Sequence, residues 1–382
     1  MGTPDRPPDE RLPVGDLRET DVETDEWGDE ARRRAARDGH PDAMSELGVL
    51  LAERGHVRTA EGLFESAARQ GHAAAMYNLG VLSDARDAAE AEEWYRRAAA
   101  EGDMNAMYNL GSFLHERGET AEAEQWYRQA ADADHVDAMN NLGVLLQQRG
   151  EPGEALTWLR RAADAGQADA MGNLGAQLHQ QGQLGEAEVW LRKAAEAGQA
   201  DAMGSLGAVL ELQGDADLAE MWYRRGAEAD SAAAMTSLGV ALATRGRVDE
   251  AEQWYRRGAS AGSAESMNNL GAMVESRDAR EAEDLYRRAA GAGQPAAMTN
   301  LAGLMASRGE LGEAEEWYRK AAGAGEPVAM REAVRAGDRL LSSGFWTGLQ
   351  YRWSGLAVST LESQEAEKTD QTEQTPETPQ SD

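Results

Sequence analysis

Residues 138–169, AMNNLGVLLQQRGEPGEALTWLRRAADAGQAD, decide how this chain folds, because near-copies of them recur along most of its 382 residues. One methionine marks each copy: Met44, Met76, Met107, Met139, Met171, Met203, Met235, Met267, Met298 and Met330. Successive spacings are 32, 31, 32, 32, 32, 32, 32, 31 and 32 residues. A fixed period of this size marks a stacked repeat array. The two short spacings share one cause. Where other copies read Arg54-Gly55, Arg149-Gly150 or Arg308-Gly309, the short ones read Arg86-Asp87 and Arg277-Asp278, with the glycine gone.

Within the quoted copy, Met139, Leu142, Gly143 and Leu146 fall at i, i+3, i+4 and i+7, one stripe of a first helix, A. Ala155, Trp158, Leu159, Ala162 and Ala163 form the matching stripe of a second helix, B. Between them, Arg149 suits the negative end of helix A, and Gly150 supplies the left-handed residue that stops it. After B the same punctuation returns as Gly39, Gly71, Gly102, Gly166, Gly198, Gly262, Gly293 and Gly325, with Asp134 and Asp230 in its place twice. Helices of about a dozen residues are marginal alone, so stacking on neighbours must supply the stability.

Leu-Gly in helix A, with Ala at the start of helix B and an aromatic four positions later, resembles the tetratricopeptide repeat. The segment W-Y-R-R-A-A-x-x-G-x-x-x-A-M, as in Trp94 to Met107, is more specifically similar to the Sel-one-like repeat, a cousin with a short B-to-A link. The resemblance covers about nine copies. It implies an all-α fold, a right-handed superhelical solenoid of helix-turn-helix repeats, and a role as an adaptor or scaffold for protein complexes.

Composition narrows the partners. The formal net charge is −30, and there is no cysteine, hence neither a disulfide framework nor a thiolate metal site. Such a charge repels phosphate backbones and anionic bilayers, which argues against nucleic acid and membrane. Lysine occurs only at Lys193, Lys320 and Lys368, an arginine bias that fits a GC-rich bacterial genome. Residues 1–26, with four prolines among acids and no signal-peptide-like apolar run, are expected to be a disordered cytoplasmic tail. The array is expected to span 27–341, opening on a half-repeat, EARRRAARDGHPDAM. Residues 342–361, with Phe345, Trp346, Leu349, Trp353 and Leu356 spaced for an apolar face, are expected to cap the array or dock a partner. Residues 362–382 read as a second disordered acidic tail.

Candidate chemistry is sparse. His40, His72 and His135 each lie four residues before the repeat methionine, one loop position repeated in different copies, so they do not converge as metal ligands. No nucleophile–base, phosphate-loop or metal-helix motif stands out, and no catalytic, cofactor or metal residue is assigned. Glu92, Glu93, Glu122 and Glu252 sit ahead of arginines on helix B, where they read as exposed i,i+4 pairs on a solvated face. Trp94, Trp126, Trp158, Trp190, Trp222, Trp254 and Trp317 fall on the buried stripe of B and read as core.

What remains is the face of helix A turned away from B. Two residues after the methionine stand Asn78, Asn109, Asn141, Asn173, Asn269 and Asn300, with Tyr77 and Tyr108 beside them and His115, Gln147 and His179 further along. Asparagine is a mediocre helix former, so its repetition needs a reason. Either it bonds the neighbouring helix, or it forms an amide ladder that pins the backbone of an extended peptide. Asp137, Asp169 and Asp201 edge the same face. The sequence therefore points to a non-catalytic scaffold holding a neutral or basic polypeptide in this groove. The alternatives are a regulator that binds a small peptide or sugar signal, and a subunit of an enzyme complex.

Overall fold

The computed structural model describes residues 26–326; the expectations for 1–25, for the copy that begins at Met330, for 342–361 and for 362–382 fall outside that range. Among the described residues there are nineteen α-helices and no strand. The opening half-repeat is α1 (Glu26–Arg37). Nine A–B hairpins follow: α2 (Pro41–Glu53) with α3 (Val57–Ala68), α4 (Ala73–Asp84) with α5 (Ala88–Ala100), α6 (Met104–Glu116) with α7 (Thr120–Asp132), α8 (Val136–Gln148) with α9 (Pro152–Asp164), α10 (Ala168–Gln180) with α11 (Leu184–Glu196), α12 (Ala200–Leu212) with α13 (Ala216–Glu228), α14 (Ala232–Thr244) with α15 (Val248–Ser260), α16 (Ala264–Val274) with α17 (Ala279–Gly291), and α18 (Pro295–Ser307) with α19 (Leu311–Gly323). The helices divide into two compact units, separated in sequence between Ala229 and Asp230.

The punctuation acts as its residue types require. Gly150 takes φ 80°, and Asp134 and Asp230, which replace glycine after B, take φ 66° and 65°. In the short copies no left-handed residue is needed. Asp87 and Asp278 instead accept hydrogen bonds from the backbone N–H groups of residues 89, 90, 280 and 281, so the turn out of helix A is itself the N-cap of helix B.

Both predicted stripes are buried. Met139, Leu142, Gly143 and Leu146 line the inside of α8, and Ala155, Leu159, Ala162 and Ala163 that of α9. The Leu-Gly pair has a steric reason. The side chain sixteen residues on, or fifteen in a short copy, lies directly against the glycine: a Cβ built at Gly143 would sit 2.6 Å from Leu159 Cγ, and one at Gly80 2.5 Å from the Tyr95 ring. Phe64, Tyr127, Leu191, Tyr223, Tyr255 and Tyr286 occupy the same place against their own glycines.

The expectation that the tryptophans are core holds for three of the seven. Trp158, Trp190 and Trp222 are at the edge of burial, each 8% exposed, while Trp94, Trp126, Trp254 and Trp317 are only half-buried. The reason is register: the deep slot on the helix-A glycine goes to the next residue, Tyr or Leu. The indole stands beside it with a cation over its face, Arg97 on Trp94 at 4.2 Å, Arg161 on Trp158 at 4.6 Å and Lys193 on Trp190 at 3.9 Å.

Within each unit, A helices of adjacent copies pack on one another, as α8 does on α10 and α10 on α12 in the first unit, and α14 on α16 and α16 on α18 in the second. The B helices make no contacts of that extent, so each stack is tighter along its A side.

Candidate functional site

In six of the nine described A helices the side chain four before the methionine caps the N-terminal end, whereas His40, Gln199 and Gln294 at that position make no such bond. His72 and His135 accept through Nδ1 from the N–H of Ala75 and Ala138, and Gln167, Ser231 and Ser263 accept through side-chain oxygens from Ala170, Ala234 and Ser266. Asp103 does the same for Asn105 and Ala106. The repeated histidine position is therefore a helix N-cap, not merely a loop position. Its far end reaches the preceding copy: His72 Nε2 lies 2.9 Å from Asp42 Oδ1, Gln167 Nε2 donates to Asp137 at 3.2 Å, and Gln199 Nε2 to Asp169 at 2.5 Å. His135 has a different neighbour. It stacks on Tyr108 at 4.6 Å, and burial pulls its pKa below the ordinary histidine value, against the attraction of Asp137 and Asp103.

The proposed amide ladder runs through bonds between copies. In the first unit Asn173 donates to Asn140 at 2.9 Å, and Asn140 donates to Asn141 at 3.3 Å. Asn141 also bonds the hydroxyl of Tyr127, whose pKa is raised by burial against the hydrogen bonds of Ser112 and Asn141. In the second unit Asn300 donates to Asn268 at 2.9 Å, Asn268 to Asn269 at 3.3 Å, and Asn269 bonds Tyr255. Further along, Gln147 donates to Gln180 of the next copy at 3.3 Å. Asn140 and Asn268, one residue after the methionine, join the rungs and were not among the candidates, which at that position took in only Tyr77 and Tyr108.

Not every predicted residue reaches the surface. Tyr77 and Asn78 are buried, Asn78 with 1% of its surface exposed, because the first turns of α4 are covered; they are corrected from groove to interior. Asn78 Oδ1 has no hydrogen-bond partner among the described residues. Tyr108, Asn109, Asn141, Gln147, Asn173 and His179 are half-buried, and His115 is exposed, all in the first unit. Asn269 and Asn300 are half-buried in the second.

The charged face of helix B is also more than a set of exposed i,i+4 pairs. Glu92 is buried, and it holds both Arg96 of its own helix and Arg117 at the end of the next helix A, the latter at 2.5 Å. The pattern recurs as Arg128–Glu124–Arg149, Arg256–Glu252–Arg277 and Arg287–Glu283–Arg308. A second link runs to the next helix B, from Arg128 to Glu154, from Arg256 to Glu281 and, from the equivalent arginine of α9, from Arg160 to Glu186. The arginines hold the Glu154, Glu252 and Glu283 carboxyls below their ordinary pKa. The signal was present as a constant separation of 25 residues between each acid and its distant arginine.

With this geometry in view, likeness to known proteins is informative. Tetratricopeptide repeat profiles match residues 45–103, 102–168, 167–200, 225–265 and 272–329, and a Sel1 repeat profile matches 201–231. The chain belongs to the Sel1-like, tetratricopeptide-like repeat family. The structure of c5321, a protective antigen of uropathogenic Escherichia coli with an SLR fold, is 23% identical, with 93% of this chain and 84% of that one covered and a TM-score of 0.65. The Sel1 repeat protein of Oxalobacter formigenes is 23% identical, with 80% and 98% covered and a TM-score of 0.54. At this identity the likeness of these Sel1-like solenoids is one of fold. No curated protein sequence matches the chain. Among the described residues, no helix is long and apolar enough to cross a membrane.

Proposed function

We infer that this Sel1-like repeat protein is a non-catalytic scaffold whose helix-A face in the first unit holds an extended, neutral or basic polypeptide. Repeat folds of this family typically serve protein–protein interaction, which supports the general class. The observation that carries the finer reading is a row of half-buried, uncharged polar groups, Tyr108, Asn109, Asn141, Gln147, Asn173 and His179, on the tightly packed A side. Exposed carboxylates at its edge, Asp137 and Asp169, favour a partner without negative charge. Neutral amides and phenols match the alternating donors and acceptors of a peptide backbone, and half-burial strengthens each bond by excluding water.

The test separates binding from scaffolding. Asn109 bonds no side chain among the described residues, whereas Asn141 and Asn173 join copies. On a random-peptide array the full chain should select neutral or basic peptides in extended conformation. Asn109→Ala with His115→Ala should weaken that capture while leaving the melting temperature in place. Capture of acidic peptides only, or capture indifferent to these changes, would move the binding surface elsewhere.

A further inference from the structure

Outside the helix-A face, one stretch of the B side breaks the polar pattern. The second link of the Glu–Arg ladder ends on the residue fifteen after the methionine in full-length copies, which is Glu122, Glu154, Glu186, Glu250 and Glu313, a polar Thr59 in α3, but Leu218 in α13. Three residues on, other copies carry Gln125, Thr157, Gln253 or Glu316, while α11 and α13 carry Val189 and Met221. The ladder acid itself is Leu156 in α9, and the arginine that would meet it is Gln181. Acid and base have been removed together. Arg192, whose equivalents reach across to the next helix B, bonds Glu188 in its own helix, its one carboxylate partner among the described residues.

The result is an aliphatic strip within the first unit. Val189 is 53% exposed, Leu218 45% and Met221 38%, while Leu156 is half-buried. Single exposed aliphatics are ordinary on a protein surface. Here Val189 and Met221 hold the same repeat position in consecutive copies, and Leu218 lies one helical turn before Met221, so they recur on one side of adjacent B helices. The link from Arg160 to Glu186 shows that α9 and α11 run side by side on this face.

We propose that the outer face of α9, α11 and α13 is a second docking surface, taking an amphipathic helix of a partner protein whose apolar stripe is flanked by lysine or arginine. The balance of charge favours this occupant: α9, α11 and α13 together carry eight acidic side chains and six basic ones. A second copy of the chain fits poorly, since two chains of net charge −30 repel. A stable homodimer also needs roughly 800 Å² from each partner, beyond what these few side chains expose. A helix laid across the strip needs only a few apolar anchors at i, i+3 and i+7.

The experiment uses the full chain and a synthetic helical peptide of about twenty residues with leucines at that spacing and lysine flanks. Its comparators are a glutamate-flanked version and a scramble of the lysine peptide. The variant Val189→Gln/Leu218→Glu/Met221→Gln installs residue types that other copies carry at these positions. The lysine-flanked helix should bind the full chain, slow amide exchange in α11 and α13, and bind the triple variant about tenfold or more weakly. Equal binding to chain and variant, equal binding of the glutamate-flanked or scrambled peptide, or a concentration-dependent dimer abolished by the variant would each overturn the proposal. Should the triple variant fail to fold, Met221→Gln alone carries the same comparison.

Discussion

The two sides of the repeat solve one problem with different chemistry. On the A side, consecutive copies are joined by neutral groups, Asn173 to Asn140 and Gln147 to Gln180. On the B side they are joined by charges, such as Glu92 between Arg96 and Arg117. Both run beside an apolar seam in which Leu159 or its tyrosine equivalents press on a helix-A glycine. The difference teaches that the period is written three times, and that its layers differ in what they contribute. Apolar burial carries stability, neutral amides fix register where water is partly excluded, and ion pairs at the solvent edge add little each but screen poorly matched neighbours.

The seam is where the largest effect is expected. Leu159→Ala removes a side chain with 0% of its surface exposed and should cost about 2–5 kcal/mol. Trp94→Ala, at a half-buried ring capped by Arg97, should cost clearly less, although the side chain is larger. Chemical denaturation of both variants checks the order. A Trp94 variant that loses as much as the Leu159 variant would make the indole row part of the core after all.

The amide rungs come next. Asn140→Ala removes the buried amide that Asn173 donates to and that donates to Asn141, which keeps its bond to Tyr127, and should cost about 0.5–1.5 kcal/mol. Asn109→Ala should be neutral or slightly stabilising, since alanine is the better helix former. Equal melting of the two variants would erase the distinction between rungs and free amides.

The smallest effect concerns the charged side and has a definite sign. Glu154, Glu252 and Glu283 titrate lower in the folded chain than when unfolded, so their contribution is present above the ordinary carboxylate range and is lost as pH falls through their folded values. His135 is also depressed, by burial, so the unfolded chain takes its proton first and stability declines as pH drops below about 6.5. A melting series from about pH 7 to pH 5 should fall gently, and His135→Gln, which places there the capping residue used at Gln167, should flatten that part. A variant as pH-sensitive as the parent would assign the slope to other groups.

Much of this was legible in the sequence because a repeat reports its own geometry. Methionine spacing, the Leu-Gly pair and the left-handed stops at Gly150, Asp134 and Asp230 appear where their residue types require. What escaped reading depends on contacts between copies. The i,i+4 arithmetic that pairs Glu92 with Arg96 does not reveal Arg117, and helical phase alone does not decide whether Trp94 or Tyr95 takes the slot on Gly80. Asn78 looked like its equivalents, yet it is covered, because burial depends on what the flanking copies place over it.

The most direct test of the central claim is amide exchange of the full chain with and without a saturating array-selected peptide. A peptide lying along the helix-A face should slow exchange in α6, α8 and α10, with little change in the B helices between them. Protection confined to α7, α9 and α11, or no protection in the first unit at all, would contradict the account.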